Sequence, residues 1–326
     1  MSTEHRQVIC FLPLSALWVD IYPLDTHTNF IIYYDTNGLK FIKTSSGGAE
    51  MLKSKTNSDT SNLASKIIID CAKCSGLCCV ALYYAKTDGF PEDKSAGEPC
   101  KNLMADFRCS IHPQLSQFGM KGCLAYDCFG AGQKVTQLYD PNNNWKTNPK
   151  LAQEMFDVFL AVFHLHQMLW YLLDALSYVE DEMLRATIQM LIEENEQMTS
   201  QSPERIINTD MGNYKMNVSQ LLKNVSGTIA NNAPGNKQNK DFLGKDFKHL
   251  NLNNRDFSMS LLIAANREGC SLHKANFLGA DMRDANIRNT DLSKSLFLTQ
   301  MQINTAKGNA NTKLPTNLSY PATWLE

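Results

Sequence analysis

The sequence predicts a multi-domain α+β chain with a cysteine-rich metal-binding domain, a helical middle and a C-terminal coil of five-residue units. Three observations predict it. Eight of the ten cysteines fall between Cys71 and Cys128. Apolar residues recur at helical spacing from Asn148 to about Gln197. From Phe242 onward a large apolar residue returns at every fifth position. The expected boundaries are 1–65 for an N-terminal segment of unknown role with a linker, 66–147 for the cysteine-cluster domain, 148–235 for the helical region and linker, and 236–326 for the repeat and its C-terminal cap.

Within the first segment, Phe30–Tyr34 and Leu39–Ile42 read as two short strands around the turn Asn37-Gly38. The stretch 44–65, rich in Ser, Thr, Asn and Lys, reads as a linker. Across all 326 residues the chain is 43% hydrophobic and 20% charged with a formal net charge of -2. That balance argues against a nucleic-acid binder and against a strongly acidic decoy. The opening residues lack a secretory pattern, so the expected location is the cytoplasm. Cytoplasmic thiols stay reduced, which makes metal a better explanation of the cysteines than disulfides.

The cluster opens with Cys71-Ala-Lys-Cys74, a knuckle in which two thiolates can grip one ion from a tight turn. Gly76 lets the chain reverse toward Cys78 and Cys79. Cys100, Cys109, Cys123 and Cys128 complete eight candidate metal ligands, and His112, three residues after Cys109, adds an imidazole. Adjacent Cys78 and Cys79 diverge in an extended chain and suit two different ions. Soft thiolates select zinc, copper(I) or iron–sulfur clusters over hard ions. The Cys-x2-Cys-x3-Cys-Cys opening, Glu98-Pro-Cys100, Phe107-Arg-Cys109-Ser-Ile-His112, Gly122-Cys123 and Tyr126-Asp-Cys128 resemble the zinc- or iron-chelating cysteine-cluster proteins. That resemblance implies chelation. The sequence leaves open whether such a site would hold the fold together or do chemistry. Gly130 and Gly132 read as a turn closing this region, because a phosphate loop would need a third glycine and a preceding strand.

The apolar stretch from Val158 to Val179 contains His164, His166, Gln167 and Asp174, which suits a buried helix better than a membrane span. His164 and His166 lie ~200° apart around a helix axis and cannot hold one ion together; each reads as a hydrogen-bonded core residue. Residues 199–240 are polar and broken, with a linker at Asn231–Lys237.

Every fifth residue from Phe242 reads Phe242, Phe247, Leu252, Phe257, Leu262, Arg267, Leu272, Phe277, Met282, Ile287, Leu292 and Phe297. Two residues before the later centres stand Cys270, Ala275, Ala280, Ala285, Thr290 and Ser295, all small. A period of five fits neither a helix nor a strand. It fits a square coil with one unit per side, large and small residues inward, and coils stacked roughly 4.8 Å apart. Arg267 breaks the ladder and needs a partner, or a route outward, for its charge. The pattern resembles the pentapeptide-repeat family, which implies a right-handed quadrilateral β-helix. Some members of that family imitate DNA and bind type II topoisomerases. Residues 240–314 carry eleven Lys or Arg against seven acids, a balance of +4 that does not copy the charge of a duplex.

No hydrolase, dehydrogenase or nucleotide-binding motif stands out. The expected function is a metal-binding protein, with zinc or iron or an iron–sulfur cluster, and a repeat that presents a surface to a protein partner. Neither nucleic acid nor membrane is expected as a partner. The alternatives are a metal-centred redox enzyme using the cysteine cluster, and a topoisomerase-protecting DNA mimic.

Overall fold

The computed structural model describes residues 57–230 and 240–325, together with the backbone of a hairpin at 31–35 and 38–42. In that hairpin β1 (Ile31–Asp35) pairs antiparallel with β2 (Gly38–Ile42). Cys10, most of the expected N-terminal linker and the linker at Asn231–Lys237 lie outside the described residues. Part of the expected linker is instead helix α1 (Asn57–Lys66), whose Leu63, with the following Ile67, is buried against the core.

Short helices frame the cysteine-rich region: α2 (Leu77–Ala81), α3 (Lys121–Ala125) and α4 (Ala131–Thr136). The centre of the molecule is α5 (Pro149–Tyr178). It starts where Asn148 accepts a hydrogen bond from the Lys150 N–H and Pro149 takes a first-turn position that has no use for its missing N–H. Apolar on nearly every face, α5 is long and apolar enough to cross a membrane, yet 67% of its most apolar window is buried inside the protein. Packed around it are α4, α6 (Glu182–Thr199), α7 (Pro203–Ile207) and α8 (Met211–Ala230). The polar stretch after residue 199 is therefore mostly helical. Its Ile206, Tyr214, Val218, Leu222 and Val225 supply enough apolar surface to dock α7 and α8.

The fold class expected from the sequence is corrected here. No C-terminal quadrilateral β-helix forms: the described residues are mainly helical, and residues 240–325 contain no β-strand. Successive coils meet through isolated parallel bridges, such as Asp241 with Leu261, Asp246 with Asn266 and Asn251 with Ser271. The reason lies in the turns. Phe242, Phe247, Leu252 and Phe257 each accept from the N–H three residues on, and the residue just before that donor has a positive φ at Gly244, His249, Asn254 and Met259. With a left-handed residue in each of the ten units from Phe242 to Ile287, no extended run there is long enough to count as a strand. The Asn and Asp residues explain themselves in the same geometry. Asp246, Asn266, Asp281 and Asn286 each accept, through the side chain, from the N–H two residues on and so brace the turn.

All twelve ladder residues from Phe242 to Phe297 are buried, Arg267 included. Polar members of the small-residue set find carbonyls one coil below: Thr290 Oγ1 donates to Arg267 O at 2.8 Å and Ser295 Oγ to Leu272 O at 3.0 Å. Beyond Phe297, helix α9 (Gln300–Thr305) turns over the coil end, where Gln302 Nε2 donates to Phe277 O and Ala280 O. Further on, Trp324 donates to Ala306 O and packs on Gly308.

The helices dock on the side of the repeat. Outward-facing Leu278 and Leu296 join the helical core, and Tyr171 meets Phe297 edge to face at 6.3 Å. Trp170 Nε1 donates to Leu298 O, and Tyr178 Oη to Ser295 O. Asp174, 6% exposed, accepts from Phe297 N at 2.9 Å and from Asn317 Nδ2 at 3.1 Å.

Candidate thiol-cluster site

The cysteine-rich segment is held in place by turns rather than by long elements. Asp70 caps the short 3-10 turn Cys71–Lys73 by accepting from Ala72 N at 3.1 Å. Gly76, at φ 71, reverses the chain into α2, and a Cβ there would meet Leu103 at 2.8 Å. Cys78 and Cys79 sit side by side on α2 with their Sγ atoms 3.9 Å apart. Cys100 is tied to this turn through its N–H, which donates to Cys79 O at 2.9 Å. A tight loop with Phe107 at φ 67 brings Leu103 and Cys109 into an isolated antiparallel bridge, so Cys109 lies close to Cys100.

Cys123 rides on α3, and Cys128 precedes the glycines. Of the two, Gly130, at φ 70, lies in a turn that starts α4, whereas Gly132 lies inside that helix. Gly132 lies directly against the thiols, with its missing Cβ 2.6 Å from Cys74 Sγ and 4.0 Å from Cys128 Sγ.

All eight cysteines of this segment are free thiols. They converge closely enough to influence one another's charge. Cys79 acts on Cys71, Cys74, Cys78, Cys100, Cys109 and Cys123, while Cys78 also feels Cys74 and Cys128. Burial pushes most of these thiols up, Cys123 and Cys128 to about 12. Cys79 moves the other way, to about 7, because Cys78 donates to it and Tyr84 and Lys94 favour its thiolate. The adjacent thiols are thereby pushed apart, Cys78 upward and Cys79 downward.

Tyr84 and Lys94 stand beside the thiols, and sequence reasoning did not single them out. They face each other across an isolated antiparallel bridge, a pairing that no local motif announces. The Lys94 ammonium lies 4.6 Å above the Tyr84 ring and donates to the carbonyls of Leu82 at 2.6 Å, Glu98 at 2.7 Å and Ser95 at 2.9 Å. A cation fixed by backbone carbonyls stabilises thiolates beside it without leaving the site.

The structure also limits the sequence reading. Among the described residues, no three Cys, His, Asp or Glu side chains are arranged to hold a metal ion as they stand. His112 is exposed and, among the described residues, belongs to no group of three or more donors able to hold a metal ion. His166 is a buried core residue as expected, its Nδ1 bonded to Phe129 O at 2.7 Å, and burial holds its pKa down at about 4. Cys270 packs inside the repeat, apart from the cluster.

A family model described as Pentapeptide repeats matches residues 260–297 in 8 copies. The buried ladder begins earlier, at Phe242. The matched model does not reach the cysteine-rich segment, so the resemblance of residues 71–128 to chelating cysteine-cluster proteins gains no support from it. Among solved structures, a pentapeptide repeat protein from the Arabidopsis thaliana thylakoid lumen is 28% identical and matches 27% of this chain and 65% of its own. Its TM-score of 0.15 is too low to carry an argument. An uncharacterized protein of Bacillus subtilis (strain 168), YybG, is 40% identical over 269 residues, which cover 81% of this chain and 96% of that protein. The chain therefore belongs to the family of Bacillus subtilis YybG, and its C-terminal part is a pentapeptide-repeat scaffold.

Proposed function

We propose that the chain binds a soft metal, zinc or iron, through the thiols of Cys71, Cys74, Cys78, Cys79, Cys100, Cys109, Cys123 and Cys128, and uses the repeat as an interaction scaffold for a protein partner in the cytoplasm. The observation that carries this reading is the gathering of free thiols around Cys79, which acts on six of the other seven, with Cys128 joined to the group through Cys74 and Cys78. A thiolate at about 7 is a ready first ligand near neutral pH. Bound metal would lower the neighbouring thiols in turn, since coordination removes their protons. Because no three donors stand ready around one point, binding would draw the turns at 71–79, 100–109 and 123–128 together. The donor set fits in chemistry, and the metal would supply a cross-link between these turns or, if iron, a redox centre.

The repeat suits a scaffold because its coils stack on a buried ladder and their outer faces carry exposed polar side chains such as Lys274, Asn289 and Lys294. The test is elemental analysis with an absorption spectrum on protein purified without oxygen. Stoichiometric colourless zinc supports a structural staple; iron with a visible charge-transfer band supports a redox centre. Protein that holds neither metal, and takes up neither on titration, overturns the proposal.

A further inference from the structure

The interior of the repeat contains one unanswered charge. Arg267 holds the inward position of the sixth unit and is 0% exposed. Its Nε, Nη1 and Nη2 have no hydrogen-bond partner among the described residues. The guanidinium carbon lies 5.1 Å from the centroid of the Phe247 ring and 4.6 Å from that of Phe257. Ring faces attract the cation, but they accept nothing from the N–H groups that fan out in its plane. Burial lowers the pKa of Arg267 only to about 10, so the group stays charged at neutral pH.

No acid of the neighbouring coils turns inward to meet it. Asp246 accepts from Lys248 N and Asp256 from Ser258 N and Lys240 Nζ, all outside the coil. Glu268 is paired with Lys248 at 3.3 Å. The Cys270 thiol donates to Phe247 O at 2.9 Å, and burial keeps it protonated. Residues 231–239, which lead into the first coil, contain no Asp or Glu. A leucine or phenylalanine would have completed the ladder, as at nine of the other eleven positions. Burying a guanidinium without an acceptor is costly, and among the described residues none is within reach, so the acceptor is one that those residues do not supply.

We propose that Arg267 holds a small inorganic anion of the chloride class inside the coil, with Phe247 and Phe257 as its aromatic walls. The anion answers the in-plane N–H groups while the rings cover the faces. Its removal leaves the charge bare, so the stability of the repeat is linked to the anion concentration.

The test uses the full chain and hydrogen exchange of the repeat amides at constant ionic strength, with sodium gluconate replaced by sodium chloride. One ion bound only by the folded coil raises protection about tenfold per tenfold rise in chloride, from the dissociation constant upward. Arg267→Met, which restores an apolar ladder, is expected to be protected equally at all chloride concentrations. Crystals grown in bromide are expected to show an anomalous peak beside the guanidinium. Wild-type protection indifferent to chloride, together with no bromide peak, overturns the proposal and leaves water as the acceptor. Equal chloride dependence in wild type and Arg267→Met overturns it too, as general salt action. Should Arg267→Met not fold, the wild-type titration and the bromide peak decide alone.

Discussion

Gly132 has no room for a side chain. A Cβ there would lie 2.6 Å from Cys74 Sγ, well inside van der Waals contact. Gly132→Ala is expected to push the Cys74 thiol aside, cost about 1–3 kcal/mol by overpacking, and lower bound metal measured by elemental analysis. The control is Gly227→Ala on α8, where nothing lies within 4 Å of the new methyl. There the helix gains about 0.5–1 kcal/mol and metal content stays as in wild type. This contact was hidden in the sequence, because a glycine beside a turn looks the same whether or not a thiol fills the space above it. The pairing of Tyr84 with Lys94 was hidden for a similar reason: nine residues of turn-rich chain separate the two.

At the scale of an element, the repeat is legible because everything that makes a turn is local. The Asn or Asp, the residue two positions on and the inward centre all fall within one five-residue unit. Leu272 lies mid-ladder and is 0% exposed. Leu272→Ala is expected to cost about 2–5 kcal/mol, read from denaturant unfolding. Each coil touches only its neighbours, so the lost exchange protection should concentrate in residues near 250–300 and spare α6 and α8. Helix α5 was legible as helix from its apolar recurrence. The polar segments that became α1, α7 and α8 were not, since their few apolar residues count only once a core is there to receive them.

At the scale of the whole molecule, Asp174 clasps the helices to the repeat. Burial raises its carboxyl from 3.8 to about 6, although Phe297 N, Tyr178 and Asn317 all donate to it. A folded pKa above the unfolded one means the native state holds the proton more tightly. The associated stability is complete below about pH 4 and is lost as pH rises toward 6, about 3 kcal/mol for a shift of roughly two units. Asp174→Asn keeps the shape and cannot ionise, so its unfolding free energy is expected to be flatter than wild type between about pH 4 and 6. The C-terminal end of the repeat, next to the Asp174 contacts with Phe297 and Asn317, is closed by the tail. Trp324→Ala removes the ring over Gly308 and the bond to Ala306 O. We expect it to cost about 3–5 kcal/mol and to raise exchange at residues 300–313 first.

The sequence by itself determined the five-residue period, the inward ladder, the crowding of thiols between Cys71 and Cys128, and the helical nature of α5. Each is a pattern of side-chain size or chemistry along neighbouring residues, and local sterics are enough to express it. The tertiary structure alone decided that the coils stack through single bridges without strands and that the helices dock on the flank of the repeat. It also decided that Cys78 and Cys79 lie side by side with their thiols pushed in opposite directions, and that Arg267 is buried without an acceptor among the described residues. These outcomes turn on desolvation and on contacts such as Asp174 with Phe297, which form only after distant segments have packed.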